Sequence, residues 1–167
     1  MTPAACMGLC TPGNFAFAGV EFHDVWCDFA MQSSISEPDN SCSDPCAGDS
    51  TLTCGGMDAI EVFANEASNV IHPSIKPVVN TWQYKGCFSD RDELTLRDLE
   101  RMDGLSGPVT VETCTASCKA SNFALSGLED GGECWCGHAM LSGLPVSDSN
   151  CSVVCTGDPT EFCGSSS

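Results

Sequence analysis

Six cysteines of this chain recur on the same ruler. Cys6, Cys10, Cys27, Cys42, Cys46 and Cys54 return as Cys114, Cys118, Cys136, Cys151, Cys155 and Cys163, with the intervals x3, x14, x3 and x7 unchanged and one residue deleted from the interval between Cys10 and Cys27. The deleted interval holds Ala18-Gly19-Val20-Glu21-Phe22-His23-Asp24-Val25-Trp26-Cys27, which repeats in Ser126-Gly127-Leu128-Glu129-Asp130-Gly131-Gly132-Glu133-Cys134-Trp135-Cys136. An internal repeat fixes domain count before any secondary structure is read. The chain is therefore two copies of one module. Residues 1–63 are the first, lacking an opening strand; 64–80, with Pro73 and Pro77 and neither cysteine nor glycine, read as a semi-extended linker; and 81–167 are the second, lacking a closing strand.

Modules of this size have small cores, and fourteen cysteines in 167 residues are the usual remedy, disulfides that restrict the unfolded chain. An oxidising compartment follows. Paired CxxC knuckles are absent, and His23, His72 and His138 stand in unlike contexts, so no metal and no cofactor is expected. A net charge of −17 with six basic residues excludes nucleic acid and anionic membrane as partners, since almost nothing is present to neutralise phosphate. No apolar run reaches the length of a spanning helix, and Met1 is followed by neither a basic segment nor an apolar signal core. Set against the cysteines, that points to a fragment, with further domains attached in a longer parent protein.

Thr2-Pro3-Ala4-Ala5-Cys6 and Thr110-Val111-Glu112-Thr113-Cys114 each begin a short helix. The threonines are N-caps, Pro3 suits the first helical position, and cysteines four apart share a face. The alternation Phe15/Phe17 and Phe123/Leu125 predicts strands with those large residues on the buried face. On the next strand Cys134 and Cys136 share one side, and Trp135, like Trp26, takes the other, away from the helix. Residues 82–88 read as a strand, residues 59–63 as a closing strand of the first module, and Ser33 to Ser50 and Ser142 to Pro159 as turn-rich loops.

Counting cysteines gives one pairing. The first module lacks counterparts of Cys87 and of Cys134, whose place is taken by Val25. Joining Cys87 to Cys134 leaves no orphan in either copy, so Cys87–Cys134 is predicted and all fourteen cysteines are expected in disulfides. The other six of the second module keep the fifteen arrangements that six cysteines allow, with helix cysteines joined to Cys136 and to loop cysteines as the leading theme.

Tyr84-Lys85-Gly86-Cys87-Phe88-Ser89-Asp90, the helix Val111 to Cys118, Gly127-Leu128-Glu129, Glu133-Cys134-Trp135-Cys136-Gly137, Cys155-Thr156-Gly157-Asp158 and Phe162-Cys163-Gly164 together resemble the WSC domain of fungal cell-wall and secreted proteins. Cys46-Ala47-Gly48-Asp49 and Thr53-Cys54-Gly55-Gly56 carry the likeness in the first copy. The resemblance implies an α+β fold of PAN/apple type, a small twisted antiparallel sheet around one short helix with four disulfides. It also implies non-catalytic binding of cell-wall polysaccharide, β-glucan most of all, outside the cell or in its wall; the alternative is a structural or wall-stress-sensing ectodomain fragment.

Sugar binding rests on an aromatic face against the CH face of a ring, with carboxylates beside it for the hydroxyls. Trp26 and Trp135 are the candidates, with Glu21 and Glu129, Asp24 and Glu133, and the loop acids Asp49 and Asp158. Glu129 and Glu133 are also the carboxylates that glycoside hydrolysis would use, but a module this small offers little wall to desolvate an acid, and no enzyme is expected.

Overall fold

The computed structural model describes residues 1–31, 35–89, 100–102, 105, 107–140 and 143–166. Ser33, Asp90, Ser142 and Ser167 of the sequence reading lie outside them. The chain divides into two compact units, Met1–His72 and Pro73–Ser167.

The first unit runs α1 (Pro3–Cys10), β1 (Phe17–Glu21), β2 (Asp24–Asp28), β3 (Pro45–Cys46), β4 (Asp49–Thr53) and β5 (Glu61–Ala64). The hydroxyl of Thr2 accepts from Ala5 N at 3.2 Å and Pro3 opens the helix, as the sequence requires. After the helix Asn14 adopts the left-handed conformation, with φ 55°. An antiparallel sheet follows in the order β2-β1-β5, so the predicted closing strand pairs with β1.

The second unit adds β6 (Val78–Val79), β7 (Trp82–Gln83), β8 (Cys87–Ser89) and β9 (Glu100–Arg101) before α2 (Val111–Ala120), β10 (Leu125–Glu129), β11 (Glu133–Gly137) and β12 (Leu144–Val146). The single strand expected at residues 82–88 is two, parted at Gly86, whose φ of 130° suits glycine. Thr110 and Thr113 form a reciprocal capping box, and Asn122, with φ 63°, repeats the exit seen at Asn14. The sheet order is β10-β11-β9. Both units are thus small antiparallel sheets on a disulfide-pinned helix, an α+β fold.

The buried face of β1 differs from the sequence expectation. Ala16, Ala18 and Val20 are buried, while Phe15 and Phe17 are half-buried. Helix α1 presses its cysteines onto this face, with Cys6 Sγ donating to Gly19 O at 3.2 Å, and so close an approach admits only small side chains. The large residues Phe15 and Phe63 then pack around the cluster's margin.

Two disulfides recur: Cys10–Cys27 matches Cys118–Cys136, and Cys46–Cys54 matches Cys155–Cys163. The Cys87–Cys134 pairing is corrected. Cys134 joins the helix at Cys114, and Cys87 joins Cys151. Neighbours of Trp135 on one strand face, Cys134 and Cys136 both meet α2, and β8 instead lies along β12. In consequence Cys6 and Cys42, the counterparts of Cys114 and Cys151, are free thiols rather than disulfide cysteines. A buried thiol behaves as a small apolar group, so Cys6 is tolerated without a partner, and burial pushes its pKa up.

Residues 65–80 are held along their length. Asn65 N donates to Ala16 O at 2.8 Å and Ile71 N to Asn14 O at 3.2 Å, within the first unit. In the second, Ser74 N donates to Thr160 O at 3.0 Å, and Lys76 Nζ lies 2.5 Å from both Glu112 Oε1 and Glu161 Oε1. Glu161 is fully buried, and its other oxygen accepts from Val111 N at 3.0 Å, the open first turn of α2. The first unit has Pro3 at that helix position and Leu52 in place of Glu161. With no N–H to satisfy, it has no use for the acid.

Candidate functional site

Alternation along β2 and β11 sets the site. Cys27 and Cys136 are tied to the helix, so Trp26 and Trp135 stand on the opposite face of each sheet. Cross-strand register places Gly19 directly opposite Trp26, and Gly127 opposite Trp135. One step toward the hairpin end the same face pairs Glu21 with Asp24, and Glu129 with Glu133. Each unit therefore sets a tryptophan, a glycine opposite it and two facing carboxylates on one sheet face, in one arrangement. Like charges directly across a strand pair weaken a sheet, and both copies carry such a pair here.

The two sites are not equally open. Trp26 is 57% exposed on an edge strand, with Val62 across Gly19 on the other side and Ile60 over the glycine. Trp135 is half-buried, because β11 is the central strand, with β10 on one side and β9 on the other. The turn between β1 and β2 has two residues, and Phe22 holds φ 52° there with 43% exposure. A left-handed phenylalanine costs on the order of 1 kcal/mol, and its N–H donates to Cys54 O at 2.7 Å.

Asp49 and Asp158 fall elsewhere. Each accepts from the backbone N and hydroxyl of a threonine two residues on, Thr51 at 3.0 and 2.6 Å and Thr160 at 2.9 and 2.7 Å. These bonds hold both carboxyls below the ordinary aspartate range. The two acids cap turns, and the structure does not bring them to the tryptophan rows. Sequence reasoning missed Gly19 and Gly127, although the repeat keeps both, and missed Ile60, Val62 and Phe22, whose placement needs the register.

Two grooves lie off this face. One, of about 260 Å³, is lined by Thr81, Trp82, Lys119, Phe123 and Ala124; the other, of about 150 Å³, lies between Met7, Phe15, Phe63 and Glu66. Neither includes Glu21, Asp24, Glu129 or Glu133. Among the described residues the sulfurs of Cys114, Cys118 and Cys134 lie within 4.8 Å of one another, but all three are in disulfides, and only thiolates ligate zinc. No described helix is long and apolar enough to cross a membrane.

The family model for the WSC domain matches residues 1–56 and 84–165. A WSC domain-containing protein of Arthroderma benhamiae is 31% identical over 169 residues, covering 99% of this chain and 22% of that protein. A Chaetomium globosum protein described as a putative fungistatic metabolite is 32% identical over 175 residues, covering 99% of this chain and 77% of its own length. Mouse Kremen protein 2 is 32% identical over 83 residues, covering 48% of this chain and 18% of its own. The chain spans about a fifth of the length of the two Arthroderma relatives it matches. No solved structure matches. On the family match and these relatives, the chain belongs to the WSC domain family.

Proposed function

We propose that the outer sheet face of each module binds neutral cell-wall polysaccharide of β-glucan type without cleaving it, at the cell wall or outside the cell. The observation that carries this reading is the repeated row: Trp26 beside Gly19 with Glu21 and Asp24, and Trp135 beside Gly127 with Glu129 and Glu133. A sugar ring can lie against the exposed face of the indole, and facing carboxylates accept from its hydroxyls. A module this small offers little wall to desolvate a catalytic acid, which disfavours acid–base hydrolysis. Trp26, the more exposed, is the stronger platform. The half-burial of Trp135 favours a second reading for the second module, a structural or sensing element without its own glycan site.

The test is retention of the oxidised protein on insoluble β-1,3-glucan, chitin, cellulose and xylan, beside Trp26→Ala, Trp135→Ala and the double variant. Retention on glucan should fall roughly tenfold or more with Trp26→Ala, as for truncation of a central aromatic anchor. Equal retention of all variants would sink the tryptophan platform. Loss with Trp26→Ala alone would assign the second module the structural role.

A further inference from the structure

Asn150-Cys151-Ser152 is the one place in these 167 residues where an asparagine has serine or threonine two positions on, with no proline between. That is the acceptor pattern for N-linked glycan in secreted chains, and three residues alone decide little. What singles Asn150 out is that the fold makes no use of its side chain.

Other asparagines serve the fold. Asn14, Asn80 and Asn122 hold left-handed φ of 55°, 53° and 63°. Asn65 Nδ2 donates to Phe15 O at 3.3 Å, and Asn69 Nδ2 donates to Asn14 Oδ1. Asn150 does neither: its φ is not left-handed, and its amide makes no hydrogen bond among the described residues. It is exposed at the end of a short 3-10 turn, Asp148–Asn150, beside Ser147, Asp148 and Ser149, which are exposed as well. A glycan there covers polar surface and displaces nothing. Asn40 is also exposed, but two positions on it has the thiol of Cys42 instead of a hydroxyl.

We propose that Asn150 is an N-glycosylation site whose occupancy is set by the time at which Cys87–Cys151 closes. This rests on the extracellular placement proposed above. In the reaction Asn150 Nδ2 forms a bond to C1 of the first sugar of a lipid-diphosphate-linked oligosaccharide. The bond from C1 to the diphosphate oxygen breaks, the lipid diphosphate leaves with that electron pair, and one amide proton goes to a base. The transfer reads the amide and the hydroxyl two residues on together. In the folded module that pair is poorly presented, because Ser152 is half-buried and the residue between is bonded to β8 through Cys87. Cys151 N also donates to Asp148 O at 3.0 Å and Asn150 N to Ser147 O at 2.9 Å, which closes the turn. Transfer therefore precedes closure of the disulfide. Disulfide formation takes about seconds or longer, so the newly made segment stays open long enough for some chains to be modified. The secreted protein is a mixture of glycosylated and bare chains.

The test is the full chain secreted from a eukaryotic host through a cleavable leader, digested with peptide-N-glycosidase and mapped by mass spectrometry. Wild type should show a glycosidase-sensitive fraction carrying one glycan at Asn150, and Asn150→Gln and Ser152→Ala should both lose it. Asn150→Gln should be secreted as well as wild type, since the fold does not use the side chain. The Cys87→Ser/Cys151→Ser variant keeps an acceptor triplet and leaves no stray thiol; in pulse-labelled cells its glycosylated fraction should exceed that of wild type. Oxidised wild type secreted without a glycan, or a glycan that survives Asn150→Gln, overturns the site and leaves the extracellular reading standing. Failure of wild type to reach its disulfide-bonded form in the secretory route counts against both. Complete occupancy in wild type, or an equal fraction in the double variant, overturns the control by disulfide closure.

Discussion

Gly19 faces Trp26 across the β1–β2 pair, and a Cβ built on Gly19 would stand 2.4 Å from Ile60 Cδ1 and 3.5 Å from Trp26 Cβ. The glycine leaves room for Ile60, which lines the strip beside the indole. Gly19→Ala should move the flexible end of Ile60 rather than the backbone, at a cost of no more than about 1 kcal/mol, while glucan retention drops. Thermal melting and polymer pull-down on the same sample decide it. Unchanged retention would show that the strip plays no part in binding.

Val25 occupies the place of Cys134, and Cys6 that of Cys114. The helix sulfurs hold equivalent positions, Cys6 Sγ 3.2 Å from Gly19 O and Cys114 Sγ 3.4 Å from Gly127 O. Val25→Cys should therefore form a disulfide with Cys6 and stabilise the first module by about 3 kcal/mol, the loop-closure gain for a span of this length. Alkylation before and after unfolding checks the starting point. In the parent protein Cys42 should label in the native state and Cys6 only after unfolding; in the variant Cys6 should not label until reduced.

Among the described residues, Lys76 is the counter-charge to the buried Glu161. Lys76→Met should destabilise the second module by about 2 kcal/mol, less than for a fully buried pair because the Lys76 side chain is 33% exposed. The Lys76→Met/Glu161→Gln double variant should recover part of that loss, because no charge is then left buried. Denaturant unfolding followed through Trp82 and Trp135 fluorescence reads both, and equal stability of Lys76→Met and wild type would contradict the account.

The turn acids give a pH dependence. Asp49 and Asp158 have folded-state pKa values held below the ordinary 3.8 by Thr51 and Thr160. Groups depressed in this way contribute stability that is present above the unfolded pKa and lost as pH falls through the folded one. Replacing Thr51 and Thr160 by valine should lower the melting temperature at neutral pH, and the gap to wild type should narrow below about pH 4. A gap that stays constant down to pH 2 would mean that the threonines act through packing instead.

Glu161 works in the opposite direction. Burial raises its pKa, so its titration removes stability as pH rises through that raised value, while Lys76 and the Val111 N–H limit the loss. Acid melting curves of the two modules should differ for this reason, since the first has Leu52 at the same position.

The sequence by itself determined the repeat, the two capped helices, the cysteine-rich α+β character and the face each tryptophan takes. Those follow from local rules, a hydroxyl before a helix and a side-chain period of two. Only the tertiary structure decided the disulfide partners and the exposure of the tryptophans. Counting orphans failed because an unpaired thiol such as Cys6 can be buried at little cost, so even numbers do not force pairing. Trp26 and Trp135 read alike in sequence, yet one lies on an edge strand and the other beside β9, a two-residue strand with no periodicity to announce it. Pairing of that kind depends on which segments fold back onto a sheet edge, a long-range geometry that neighbouring residues do not encode.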